Sequence, residues 1–297
     1  MATTLLPETS EVWRLDLAIT NEALMQRLTS YWIVGLCLCC GASLRAEDKT
    51  DPLELFASEF VAITPGQGDF PASFRMGSAE DTNAQPVREV PLTGSFHMAK
   101  YEVPQNLYEQ VMGINPSQWK GPRNSVEMLT PAEARQFCGK ATTLLRERKL
   151  ITPNEEIRLP TEIEWEYCCR AGTTTRYSFG DQAQADGDTG DKATLLDKYG
   201  WHHGNAAGND PPVGALAPNP WGLYDMHGYL SEICSDPWKA DYAAETKAEA
   251  NGAVVLRSGS WKDTHPKLTS ASRQKFARDG KDDAVGFRCV KSAVLKP

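Results

Sequence analysis

Between Gly172 and Ser260 the chain loses hydrophobic periodicity and becomes dense in Gly, Asn, Asp, Pro and Trp. Loops of this extent inside a compact domain are functional or pinned by something, and aromatic anchors and a bound cation are the natural candidates. The flanks are more regular. A helix is expected from Pro104, with Leu107, Val111 and Met112 on one face and a stop at Gly113. A second starts at Thr130-Pro131-Ala132-Glu133, a capping box with proline at the first helical position, and carries Ala134, Phe137, Ala141, Leu144 and Leu145 on its apolar face. A third starts at the capping box Thr161–Glu164, runs through Trp165, Tyr167 and Cys168, and ends at Gly172. Short β-favouring pieces at Phe60–Ser78, Ser95–Val103, Ala253–Trp261 and Ala284–Val290 complete an irregular, loop-rich α+β pattern.

A hydrophobic content of 41% suffices to bury a core, while a net charge of −8 argues against nucleic acid or an anionic membrane surface as partner. The apolar run Tyr31–Ala42, preceded by Arg27, is too short for a bilayer crossing, which takes roughly 20 residues, but suits the core of a secretory signal cleaved after Ala46. Met25 just precedes Arg27, so residues 1–24 are read as a gene-model extension, 25–46 as the signal and 55–292 as one domain. Export to the periplasm or the extracellular space follows, with no membrane span left after signal removal. Outside the signal the cysteines are Cys138, Cys168, Cys169, Cys234 and Cys289, an odd set that cannot be a complete disulfide framework and reads as buried packing thiols.

The ordered series FRMGS (Phe74–Ser78), YEV (Tyr101–Val103), NPSQWKG (Asn115–Gly121), RLPTEIEWEYCCRAGT (Arg158–Thr173), NPWGLYDMHG (Asn219–Gly228), LRSGSW (Leu256–Trp261) and GFRCV (Gly286–Val290) resembles the formylglycine-generating-enzyme, or sulfatase-modifying-factor, domain family. The resemblance implies a variant of the C-type-lectin-like fold. It also implies, for oxidising members, two cysteines after the SGSW segment that bind copper(I) and convert a substrate cysteine to formylglycine. Soft thiolates are what copper(I) prefers. The corresponding positions here are Asp263 and Leu268, so copper is not expected. A related branch holds nonhaem iron through a His-x-x-x-His-x-Glu element, and no two of His97, His202, His203, His227 and His265 are four apart.

The resemblance further implies a structural calcium ion, with side-chain oxygens from Asp225 and Glu232 and carbonyls from Met226, Gly228 and Leu230, hard donors of the kind calcium takes. The usual GNVWEW reads GYLSEI here, which loses an Asn and two Trp. Ser260, Trp261, His265 and Arg273 fall where the family builds its substrate cleft; the blander reading places Trp261 partly in the core and pairs Arg273 with Glu232 or Asp236. Glu164 belongs to its capping box, and Glu162 and Glu166 are read as favourable charge near a helix start. The expected function is an exported binding or accessory module for a peptide, glycan or protein partner. The alternative is an oxidoreductase acting on a cysteine of sulfatases or other exported proteins.

Overall fold

The computed structural model describes residues 50–294 apart from Ala244, Thr246 and Asn251. The signal segment 25–46 and the extension 1–24 lie outside the described residues. Helices α1 (Pro52–Ser58), α2 (Gln105–Met112), α3 (Pro131–Glu147) and α4 (Glu162–Arg170) combine with three small sheets. In the first, β1 (Phe60–Ile63), β4 (Phe96–Ala99), β10 (Val290–Ala293) and β5 (Glu155–Arg158) run antiparallel in the order β1-β4-β10-β5. A hairpin joins β2 (Ser73–Met76) to β3 (Arg88–Pro91). The third sheet has the order β8-β7-β6-β9, from β8 (Arg273–Phe276), β7 (Val254–Arg257), β6 (Ser231–Pro237) and the short β9 (Val285–Gly286), which pairs parallel to β6.

The helix starts obey local chemistry. Both Thr130 and Thr161 cap reciprocally with Glu133 and Glu164, and Gly113 ends α2 in the left-handed conformation. Pro104 is the cap of α2 instead of its first turn. The apolar stripe of α3 buries Phe137 between the stacked ring of Tyr108 on α2 and the edge of Phe287. A second core gathers Trp165, Tyr167, Cys168 and Cys169 of α4 against β2, β4, β6 and β7. The segment Ala284–Val290, expected as one strand, splits between two sheets and so links them.

From Gly172 to Leu230 the regular structure is one turn of 3-10 helix, Leu196–Lys198. Aromatic anchors pin this segment. Phe179 stacks on Tyr177 and Tyr199 and meets the edge of His227, beside a small core of Ala183, Ala193, Leu196 and Leu268. At Gly228, φ is +127° and a Cβ would lie 2.3 Å from the Trp201 carbonyl oxygen, so glycine is required for the two loops to meet. Their meeting is sealed by the Tyr229 amide donating to that carbonyl at 2.9 Å.

Candidate functional site

The two positions where the family resemblance implies cysteines are occupied by groups with structural tasks. The Asp263 carboxylate accepts from the Ser260 amide at 3.0 Å and the Ser260 hydroxyl at 2.9 Å, closing the turn after β7. Leu268 is fully buried in the small core under the loops. All five cysteines of the described residues are free and buried, with Cys289 facing Cys138 at 4.0 Å.

Cys169 alone has a catalytic-looking neighbour. Its sulfur lies 3.8 Å from both ring nitrogens of His227, a position in line with neither lone pair. His227 Nδ1 lies 2.9 Å from the Leu268 carbonyl and therefore carries the proton, while Nε2 accepts from the Ser178 amide and hydroxyl. Burial pushes the Cys169 thiol up to about 12 and the His227 imidazole down to about 4. Both shifts oppose a thiolate–imidazolium pair, so this contact packs the loop.

The predicted cleft residues are not brought to one site. Arg273 is buried, and its guanidinium binds Glu162 at 2.6 and 3.0 Å, which replaces the expected pairing with Glu232 or Asp236. It backs a large open cleft of about 840 Å³ whose charged walls, Arg75, Glu80, Asp81, Arg176 and Lys267, mix both signs. His265 opens the 3-10 turn His265–Lys267, and its carbonyl accepts the Tyr177 hydroxyl at 2.7 Å. Ser260 is turned to Asp263.

Trp261 instead walls a second cavity of about 320 Å³ with Trp119, Trp201, Tyr229 and three carboxylates, Glu127, Asp210 and Asp283. Among the described residues no Lys, Arg or His lines it. Glu127 is only 3% exposed; one of its oxygens accepts the Trp119 amide at 2.9 Å, and the other, Oε2, is buried without a hydrogen-bond partner. Burial raises its carboxyl above the ordinary value, and Asp283 and Asp210 add to the rise. Asp210 accepts from Asn124 at 2.5 Å and from the Tyr229 hydroxyl at 3.4 Å, and burial raises its carboxyl too. Asp283 accepts the Trp119 indole N–H at 3.2 Å and pairs with Lys262, which holds its carboxyl low against the effect of burial. Of this wall, the sequence singled out Trp261 and, as a carbonyl donor, Leu230. One signal was legible: Glu127 interrupts the apolar run Val126–Leu129, where a carboxylate has no packing reason to be.

Several residues expected to bind calcium have other partners. Glu232 is fully buried; Arg288 donates to both its oxygens at 2.7 Å, and the Trp165 indole N–H adds a third bond at 2.9 Å. Three of the four lone-pair sites of this carboxylate are taken and its charge is already met by Arg288, so Glu232 does not fit as the ligand that holds a calcium ion. The Met226 carbonyl faces the Cys169 sulfur and the Gly228 carbonyl the Ser258 hydroxyl, while the Leu230 amide donates to Glu102. Asp225, at φ 58°, accepts the Gly214 amide at 2.8 Å and leaves Oδ1 buried and unpartnered. Burial lifts its carboxyl to about 6 and, together with repulsion from Glu232 and Asp225, lifts that of Glu102 well above the usual range.

Glu162 stands in the first turn of α4 as expected, but it and Glu166 are in addition buried ion-pair partners, a role the helix start did not foretell. Arg257, with no exposed surface, reaches Glu162 at 2.9 Å and Glu166 at 2.8 Å from β7, while Arg273 and Arg170 close the network from either side. Glu164 keeps its capping role and adds a bidentate contact with Arg158.

An α+β domain with little regular structure, cores tied by buried Arg–Glu pairs and cavities opened between long loops defines the class. The sulfatase-modifying factor enzyme 1-like domain matches residues 49–293, and the chain belongs to that family. It is similar to chaperone protein LppX of Paenibacillus barcinonensis, 26% identical over 66% of this chain and 80% of that one. It is also similar to the formylglycine-generating enzyme of Streptomyces coelicolor, 32% identical over 46% of this chain. The chain spans 48% of the length of that enzyme. Among solved structures, Treponema denticola variable protein 1 superposes with a TM-score of 0.64 at 22% identity, covering 78% of this chain and 94% of that one. PvdO from Pseudomonas aeruginosa gives 0.61 at 22%, covering 77% and 97%. Among the described residues no helix is long and apolar enough to cross a membrane.

Proposed function

We propose that this domain is an exported binding or accessory module of its family, without copper-dependent formylglycine-generating activity. The observation that carries the reading is the pair Asp263 and Leu268. A turn-closing carboxylate and a core leucine stand where the chemistry needs two thiolates, and the thiols of the described residues are buried. The likeness to a relative named a chaperone protein supports an accessory role toward another exported molecule, and the amino-terminal apolar run supports export. Incubation with copper(I), oxygen and a peptide carrying Cys-x-Pro-x-Arg tests the reading by mass spectrometry. The peptide stays unchanged beside an active control enzyme. Conversion of its cysteine to formylglycine would instead establish the oxidoreductase alternative.

A further inference from the structure

Every buried charge of the Arg257 network meets an opposite charge, whereas two of the three carboxylates of the smaller cavity, Glu127 and Asp210, do not. Glu127 and Asp210 make no ion pair among the described residues, and the cavity wall supplies no cation. An orphan oxygen on a carboxylate that is 3% exposed is costly unless something fills its place, since a buried acceptor without a donor forfeits the full cost of desolvation. The rest of the wall narrows what that something is. Three indoles and a phenol contribute aromatic, largely apolar surface, and add few oxygen donors for a hard metal ion. Three carboxylates repel an anion. The chain itself already shows the complementary chemistry at this rim, where the Lys262 ammonium lies 5.3 Å from the Trp261 ring centroid while bridging Asp282 and Asp283.

We infer that the cavity between Trp119, Trp201 and Trp261 binds an organic ammonium ion, its alkyl groups against the indoles and its charge met by Glu127 and Asp210. The inference rests on the reading of the domain as a binding module. A volume of about 320 Å³ suits a small amine or a single side chain, at the low end of the ~300–1,000 Å³ usual for ligand pockets. Trp119 is 47% exposed, which leaves one wall open for entry. Attraction to the ring faces and to an uncompensated carboxylate act on the same charge, so affinity falls steeply when the charge is removed at constant shape.

Choline and its uncharged isostere 3,3-dimethylbutan-1-ol provide that comparison. In calorimetric titrations of the full-length protein, choline binds at least about tenfold more tightly than the isostere. Glu127→Gln weakens choline by about tenfold and leaves the isostere unaffected, because the amide keeps the shape and removes the charge. Equal affinities, or no choline binding by wild-type protein that unfolds cooperatively, overturn the inference. An Nα-acetyl-Nε-trimethyllysine amide separates the sources: tighter binding than choline assigns the site to a protein side chain, and weaker binding to a free amine, both in support. A protein that binds choline yet forms formylglycine would defeat the binding-module reading while leaving this site standing.

Discussion

The ion-pair network under β7 and the cavity beside Trp261 hold buried carboxylates in opposite ways. Glu162, Glu166 and Glu232 are each met by arginine, and Glu162 is held below the usual carboxylate range by Arg257 and Arg273 in spite of its burial. Glu127 and Asp210 are left to hydrogen-bond donors, and burial raises both. The first arrangement belongs to the fold, since its charges are complete without a ligand. The second is incomplete, since Glu127 and Asp210 meet no opposite charge and one Glu127 oxygen has no donor among the described residues.

The largest effect should come from breaking the complete region. Arg257→Met leaves Glu162 and Glu166 buried and short of a partner and should cost about 3–5 kcal/mol in urea unfolding. A loss below about 1 kcal/mol would mean that the network adds little to the fold. Glu232→Ala strands Arg288 and should cost a similar amount, about 3–5 kcal/mol, equally in calcium and in chelator. A loss confined to calcium would return Glu232 to a ligand role.

Asp225 sharpens the contrast through pH. Its carboxyl is raised from 3.8 to about 6, so between those values the folded chain binds more protons than the unfolded chain and stability falls as pH rises. Asp225→Asn tolerates the positive φ, retains an acceptor for the Gly214 amide and removes this cost. It should therefore gain roughly 2–3 kcal/mol above pH 6 and nothing below about pH 4. A gain independent of pH would refute the assignment. Smallest is Glu127→Gln, expected to change unfolding stability by less than about 1 kcal/mol because no ion pair is lost.

The same contrast explains how much could be read beforehand. Thr130 and Thr161 were legible as helix starts because capping is settled within four residues of chain, and the apolar face of α3 follows from its own period. The strands β5, β6 and β8 were not, since their pairing depends on partners far away in sequence and β6 breaks register between Ile233 and Pro237. Arg273 could be recognised as a paired arginine, but its partner Glu162 comes from a helix start where local rules already explain an acid. The smaller cavity was hidden for a related reason. Trp119 and Glu127 lie on one loop, between α2 and α3, and Trp201 and Trp261 on two others, and contacts such as those of Tyr229 with the Trp201 carbonyl and the Trp261 amide bring the latter two together.

The account depends most on the claim that Asp263 and Leu268 leave the domain without a copper(I) site, and a competition titration of the purified protein against a copper(I) chelator of known affinity tests it directly. The chelator should retain all the copper at equal concentrations, with the protein's absorbance and unfolding midpoint unchanged. Transfer of one copper(I) per chain to the protein would contradict the account and place thiolate chemistry where the structure puts a carboxylate and a leucine.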